Sequence, residues 1–529
     1  MEYWLRHTRA RKVKCDELKP VCIRCHSSGR TCDGYGIWGG GGNGYAERYC
    51  KKVKTYAPPL PKAYPVIALG FSEHQHLQRL RCRIEQGNVG LLGFDFWTKL
   101  VLPATWNELA VMHAVVALSS AHTSGQGHQH NPAKAKDESV TLEHYTRAIN
   151  HLQPLLSGKD AKSAAVVLVT CLLFALLEYT RAHYRDATMH LANGLNVLKD
   201  LHRDCSQSVQ DVLIIRPSQK HVIDRAIFQG FATLHVYANL FGDQTSNNAL
   251  LLQLTETEMP PSMYSSLEEA RDSLYKLIQG VLLISKNAET ARTKVVPLFD
   301  GVRATALALE HLKSWRGAYE ATRESLASQY GRKSVYYKLL LSYFYMAIIM
   351  CQSMHSTSEM VYEDYSEHFI AIIEHAIELW RHYTLKSASK TASIAIDVGW
   401  IPPLYYTAVK CRNSRIRTHA IRLLRSMPHR EGAWDSKIAA TVADKVRRLE
   451  EATFQRELEI ALDELPSTLN EIQAGSPLEV NRFQDVHVEL QEDNHVVITC
   501  TRSFNHNVQT VLRCKFDGKR WHDTALRYN

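Results

Sequence analysis

The chain has 529 residues, 45% of them hydrophobic and 22% charged, with 12 cysteines and a net charge of +9. This ordinary composition excludes a disordered, fibrous or disulfide-framework protein, and the length leaves room for three or so domains. The excess charge is local, because residues 1–62 hold 13 Lys and Arg against 5 Asp and Glu, a net of +8, and the remaining 467 residues are close to neutral. No secretory apolar region follows the charged start, and the cysteines are scattered apart from four near the N-terminus, which predicts a reducing compartment.

The first element is a basic run, Arg9, Arg11, Lys12 and Lys14, leading directly into Cys15, Cys22, Cys25 and Cys32. Cys22-x2-Cys25-x6-Cys32 is a half-repeat, and the same spacing counted back from Cys15 falls on Leu5 and Thr8. The segment therefore contains two copies of one ligand pattern, the first reduced to its last cysteine. A segment of roughly thirty residues buries too little apolar surface to fold alone, so a metal must supply the folding free energy. Zinc prefers four ligands in a tetrahedron with thiolates among its best donors, which predicts one zinc on Cys15, Cys22, Cys25 and Cys32, with His7 or His26 as a replacement donor. Two other readings stay open: unmetallated thiols in an unstructured arm, and a cluster whose first part is encoded upstream of Met1. The coincidence of cysteines and positive charge is the electrostatic footprint of a nucleic-acid binder.

The stretch from Thr8 to Cys32 resembles the fungal binuclear zinc cluster family, in which six cysteines hold two zinc ions. The matching residues are Arg9, Arg11, Lys12, Lys14, Cys15, Asp16, Pro20, Cys22, Cys25 and Cys32. The family's first cysteine bridges both metals, and Leu5 stands in its place here. Under the family's wiring the second metal keeps Cys22, Cys25 and Cys32, whereas the first is left with Cys15 and Cys22. The resemblance implies a nuclear regulator of transcription that binds double-stranded DNA. Lys14 would lie where the family reads a CG-rich half-site, and Arg9, Arg11 and Lys12 would hold phosphates. It further implies co-regulators or the transcription machinery as partners, a homodimer, and control of a specialised metabolic pathway.

Residues 34–70 form a linker, Gly-rich at first and then stiffened by proline. Gly39 to Gly42 lack the following Lys-Ser/Thr pair of a phosphate loop. Between Asp33 and Phe71 no heptad with apolar a and d positions predicts a dimerising coiled coil. From residue 71 to 465 helical spacing dominates and predicts one large all-helical domain. Tyr145, Ile149, Leu152 and Leu156 share one face, as do Ile438, Val442, Val446 and Leu449, while Pro260-Pro261 and Pro402-Pro403 separate segments. The longest apolar uncharged run, Ser163 to Leu177, is shorter than the roughly 20 residues of a membrane span, which predicts a buried core helix and no membrane partner. Residues 466–529 change period. Val486, Val488 and Leu490, then Val496, Ile498 and Cys500, then Leu512, Cys514 and Phe516 alternate with other residues, and Asp517-Gly518 follows as a hairpin signal. A small antiparallel sheet closes a mainly α chain.

The helical region also resembles the fungal-specific transcription factor domain over roughly residues 70–465. The likeness is carried by Leu92 to Trp97, His113 to Leu118, Ala121-His122, Pro403 to Tyr406, Cys411-Arg412, Arg415, Arg417 and Pro428 to Asp435. It implies a regulatory domain without catalysis. The residues agree: there is no His-Glu-x-x-His pair, no Gly-x-Ser-x-Gly elbow and no dinucleotide fingerprint. His122, His128 and His130 form the densest histidine group and are expected in a polar loop. Glu431, beside Arg430 and Trp434, is expected to belong to a turn entering a helix near Ser436.

Overall fold

A computed structural model describes residues 70–526 apart from 86–95, 125–131, 157–159, 202–205, 210–211, 216–224, 241–248, 253–258, 294–298, 327–334, 357, 387–398, 427, 452–480, 492–494 and 505–506. The chain divides into two units, Met1–Tyr64 and Pro65–Asn529, and the described residues all lie in the second. The expected zinc-cluster module and all but the last residue of the expected linker are outside the described residues.

Helix α1 (Phe71–Glu85) starts where Glu73 Oε2 accepts the Gly70 N–H at 2.6 Å, a carboxylate satisfying an open donor at a helix N-terminus. A wide π-turn, Phe96–Val101, buries Phe96 and Trp97 and leads through a short turn at Leu102–Thr105 into α2 (Leu109–Ser124). Then follow α3 (Pro132–Leu156), α4 (Ala161–Arg181) and α5 (Tyr184–Leu201). α2 packs along α3 and α4, and α4 along α5.

α4 carries the apolar run singled out above. Its N-cap is Asp160, which accepts the Ser163 N–H at 2.9 Å, and it ends at Ala182 in the left-handed region, φ 65°. The helix is long and apolar enough to cross a membrane, yet 83% of its most apolar window is buried inside the body, as expected of a core helix. On α3, Tyr145, Ile149 and Leu152 pack into the core, but Leu156 is 61% exposed. It is the last residue of the helix, beyond Pro154, and its place on the apolar face is corrected accordingly.

The middle of the chain departs from the all-helical expectation. β1 (Ser206–Val209) pairs antiparallel with β2 (Val212–Ile215), and after α6 (Arg225–Leu240) β3 (Ala249–Leu252) joins β2 in parallel. Apolar runs of four residues fit a strand and a buried helix equally well by periodicity, so the long-range pairing decides.

Four longer elements follow: α7 (Leu267–Thr293), α8 (Phe299–Ser325), α9 (Val335–Ser353) and, after a 3-10 turn at Glu359–Tyr365, α10 (Ser366–Lys386). Their core is aromatic. Trp315 stacks on Tyr319 and Phe344 with centroids 4.7 and 5.6 Å apart. The Trp315 Nε1–H donates to the Ala270 carbonyl at 2.8 Å, so a large ring is buried with its polar atom satisfied.

Pro402 and Pro403 do not separate segments; they fill the first turn of α11 (Ile401–Lys410), where a missing N–H costs nothing. Next come α12 (Ser414–Ser426), a two-residue hairpin of β4 (Arg430–Glu431) and β5 (Trp434–Asp435), and α13 (Ser436–Glu451), which starts where expected. Gly432, φ 57°, makes the tight turn. On α13, Ile438, Val442 and Val446 are buried and Leu449 packs on the core.

The chain ends in the expected antiparallel sheet, in the order β6 (Asp485–Leu490), β7 (Val496–Phe504), β8 (Asn507–Phe516) and β9 (Trp521–Leu526). Register places Phe516 opposite Trp521, so Asp517-Gly518 opens a four-residue loop rather than forming a two-residue turn. Val488, Ile498, Cys500 and Cys514 are buried in the same core as the helices, so this sheet belongs to the body.

Candidate functional site

Arg9, Arg11, Lys12, Lys14, Cys15, Cys22, Cys25 and Cys32 lie outside the described residues, as do Leu5, His7, His26, His128 and His130. As a donor set, four thiolates fit one tetrahedral zinc, and Leu5 and Thr8 offer no thiolate for a second. Among the described residues, polar side chains converge in several places.

The first is a buried ionic network that joins α12 and α13 to the start of the sheet. Arg417 is fully buried; its Nη1 lies 2.6 Å from Glu450 Oε2 and 3.5 Å from Glu451 Oε1, and its Nε donates to the Ala408 carbonyl at 2.8 Å. Arg412 pairs with Glu359 and lies 3.7 Å from Glu450. Glu450 Oε1 also accepts the Phe483 N–H at 2.9 Å, and Lys410 donates to the Gln484 carbonyl at 2.7 Å. Burial alone would raise the Glu450 carboxyl pKa, but Arg417 and Arg412 outweigh it and hold the group below its usual value. Such a network fixes geometry, because removing one partner strands the other charge in the interior.

The second is Glu431, fully buried beside the N-terminus of α11. It accepts a short hydrogen bond from His429 Nε2 and faces the Ile401 N–H at 3.3 Å. A Cβ on Gly399 would sit 1.6 Å from Glu431 Oε1, so only glycine fits there. Burial raises the Glu431 pKa despite His429 and the nearby N–H donors. The expectation that Glu431 is structural fits this setting: it closes a helix start.

The third lies between α1, α2 and α3. His113 Nδ1 and His144 Nδ1 are 2.8 Å apart, and His144 Nε2 is 3.8 Å from Glu73 Oε1. His151 stacks on His113 with centroids 5.5 Å apart. Burial pushes the His113 pKa down to about 4, with His144 and His151 adding to the effect, and burial also lowers that of His144. A comparable group at Glu178, His183 and Asp186 is already neutralised, because Arg181 Nη1 lies 3.2 Å from both Glu178 oxygens.

His122 is not in a loop. It lies in the last turn of α2 and is 3% exposed, buried with the apolar helix that carries it. The described cysteines are free thiols, and burial pushes Cys171, Cys411 and Cys514 up to about 12, far from a reactive thiolate. Sequence reasoning missed the ionic network and the histidine group, whose pairs Arg412–Glu359 and His113–His144 lie 53 and 31 residues apart. Arg412 and Arg417 stand among polar neighbours, Asn413, Ser414 and Thr418, so the sequence carries no local sign that they are buried.

Residues 7–37 match the family model of the fungal Zn(2)-Cys(6) binuclear cluster domain, and residues 94–282 match that of the fungal specific transcription factor domain. The chain is 24% identical over 384 residues to the transcription regulator lscL of Purpureocillium lilacinum, an alignment spanning 67% of this chain and 87% of that protein. It is 28% identical over 212 residues to the aspercryptin biosynthesis cluster-specific transcription regulator atnN of Emericella nidulans, spanning 36% of this chain and 33% of that protein. No solved structure matches. The chain thus has the domain makeup of the fungal zinc-cluster transcription regulators, with zinc as the cofactor of its first domain, and it is a transcription regulator and not an enzyme.

Proposed function

We propose that the chain is a nuclear, sequence-specific DNA-binding regulator of the genes of a specialised metabolic pathway. The observation that carries this is the coincidence, within residues 7–37, of the zinc-cluster match, all four patterned cysteines and the basic run. Cys15, Cys22, Cys25 and Cys32 hold one zinc, which when bound supplies the folding free energy that so short a segment lacks. The fold then fixes Arg9, Arg11, Lys12 and Lys14 against the duplex. Lys14 contacts a base edge in a CG-rich half-site, whereas the other three hold phosphates and set the register. Residues 71–465 form the regulatory part that engages co-regulators or the transcription machinery and supports a homodimer, with the sheet that includes Val488, Ile498 and Cys514 completing its core. The relatives' names support the pathway-specific role.

A gel-shift titration of the full chain tests this reading. Wild type shifts a CG-rich duplex, chelator abolishes the shift and zinc restores it. Lys14→Ala lowers discrimination at one base position by about 1–3 kcal/mol, and Arg9→Ala weakens all duplexes alike and lowers the salt slope by about one. A chain that never prefers CG-rich duplex, yet still captures nuclear proteins, would replace direct readout by partner-mediated regulation.

A further inference from the structure

We propose that one end of the α2–α3–α4 bundle is the surface through which two copies of this chain pair. Phe71, 82% exposed, stands out of the body at this end, and so do Trp106, Leu109 and Leu156. Aromatic anchors amid aliphatic side chains are the usual centre of a protein interface. The surface rests on the homodimer of the reading above and gives it a location.

The packing of the helices brings these four residues to a common end. α2 and α3 run antiparallel, since Ser120 Oγ on α2 donates to the Asp137 carbonyl on α3 at 2.7 Å while His113 meets His144 and His151. Followed back along α2, that register sets Leu109 level with the turn of His151, and Trp106 level with the last turn of α3, which Leu156 closes. Glu108 pairs with Lys162 at 2.9 Å, so α4 also starts here. α1 lies along the same two helices: Glu73 Oε1 is 3.8 Å from His144 Nε2, and the His76 carbonyl accepts the Ser119 hydroxyl at 2.8 Å. It therefore begins toward this end, with Phe71 as its first residue.

Three features select a second copy as the occupant. The rim carries both signs side by side, Lys162 with Glu108 and Arg147 with Glu143, so a two-fold axis can set the cations of one copy against carboxylates of the other without net repulsion. The four apolar side chains expose on the order of 400 Å², which is half of the ~800 Å² that each partner contributes to a standard interface, and so suffice for its apolar centre. The first 69 residues of the chain, which carry the cysteine segment, join the described part at Gly70, next to Phe71. A two-fold axis through this end brings the two Gly70 residues side by side, so that both N-terminal segments leave from one place, as two neighbouring half-sites require. No heptad between Asp33 and Phe71 offers another way to pair them.

Sedimentation velocity of the zinc-loaded full chain, run over a range of concentrations, tests the proposal. Wild type should be a reversible dimer. Phe71→Glu, Trp106→Glu and Leu156→Lys should each raise the dimer dissociation constant by more than about tenfold. All three side chains are exposed in the monomer, so the variants should keep the circular-dichroism spectrum of wild type. Leu142→Glu, at an exposed position of α3 about four turns from Leu156, is the control and should leave the dimer intact. Pairing and DNA readout are measured apart: a variant that no longer dimerises should bind duplex with one CG-rich half-site as wild type does, and lose affinity only for duplex with two. A monomeric wild type overturns the homodimer and this surface together, and leaves readout of a single half-site standing. A wild-type dimer that all three folded variants retain, or that Leu142→Glu weakens as much as Leu156→Lys, overturns the surface alone.

Discussion

Replacing Arg417 by Met should be among the most damaging single changes in the body. The guanidinium is fully buried, and without it Glu450 keeps only Arg412, 3.7 Å away, and the Phe483 N–H, while the Ala408 carbonyl loses its donor. Removing one member of a buried pair costs about 3–5 kcal/mol. By contrast the exposed pair Arg147–Glu143, with the same 2.6 Å separation, contributes about 0.3–0.5 kcal/mol. Unfolding entropy of about 2.1 cal/mol/K per residue over roughly 465 residues is close to 1 kcal/mol/K, so the Arg417→Met midpoint should fall by about 3–5 °C. The assay is circular-dichroism melting of the full chain in a double-mutant cycle with Glu450→Met. Because the second change removes the stranded charge, the double variant should lose clearly less than the sum of the two single losses. An Arg417→Met midpoint within 1 °C of wild type, or strict additivity, would refute this account of the network.

Gly399→Ala drives a methyl into Glu431 and should cost about 1–3 kcal/mol or more, partly relieved by Glu431→Ala in the same chain, as denaturant titration would show. Ala182→Gly, at φ 65°, should stabilise by about 0.5–1 kcal/mol and raise the melting midpoint slightly; a drop would mean that the alanine methyl packs usefully. His375 on α10, half-buried beside Ser342 and with its pKa lowered to about 4 by burial and by Lys338, binds its proton less readily folded than unfolded. Its contribution is present above pH 6.5 and is lost as pH falls toward about 4, worth about 1–2 kcal/mol after screening, and His375→Gln should flatten stability against pH across that window.

Local features of the body were legible in the residues themselves. The apolar run from Ser163 to Leu177 became a buried helix because every side of it is apolar, the α13 stripe follows helical spacing, and the alternation from Val486 to Phe516 became a sheet. Features made by distant partners were not. The strands at Val212–Ile215 and Ala249–Leu252 are set by pairing between residues 37 positions apart, and Glu359 meets Arg412 from 53 residues away. Leu156 keeps helical spacing but lies at a helix end, where spacing no longer guarantees burial. The histidine group was hidden for the same reason: His113 lies within a strongly apolar helix, and only packing of α3 against α2 brings His144 to it.

The most direct test of the central claim is the specificity ratio of the full chain, measured by competition between a selected CG-rich site and random duplex at about 0.15 M salt. A zinc-organised reader should bind its site at least about 10³-fold more tightly. Chelator or Cys22→Ser should bring that ratio close to one while leaving the helical body folded. A ratio near one for the zinc-loaded wild-type chain would contradict direct readout of DNA by residues 7–37.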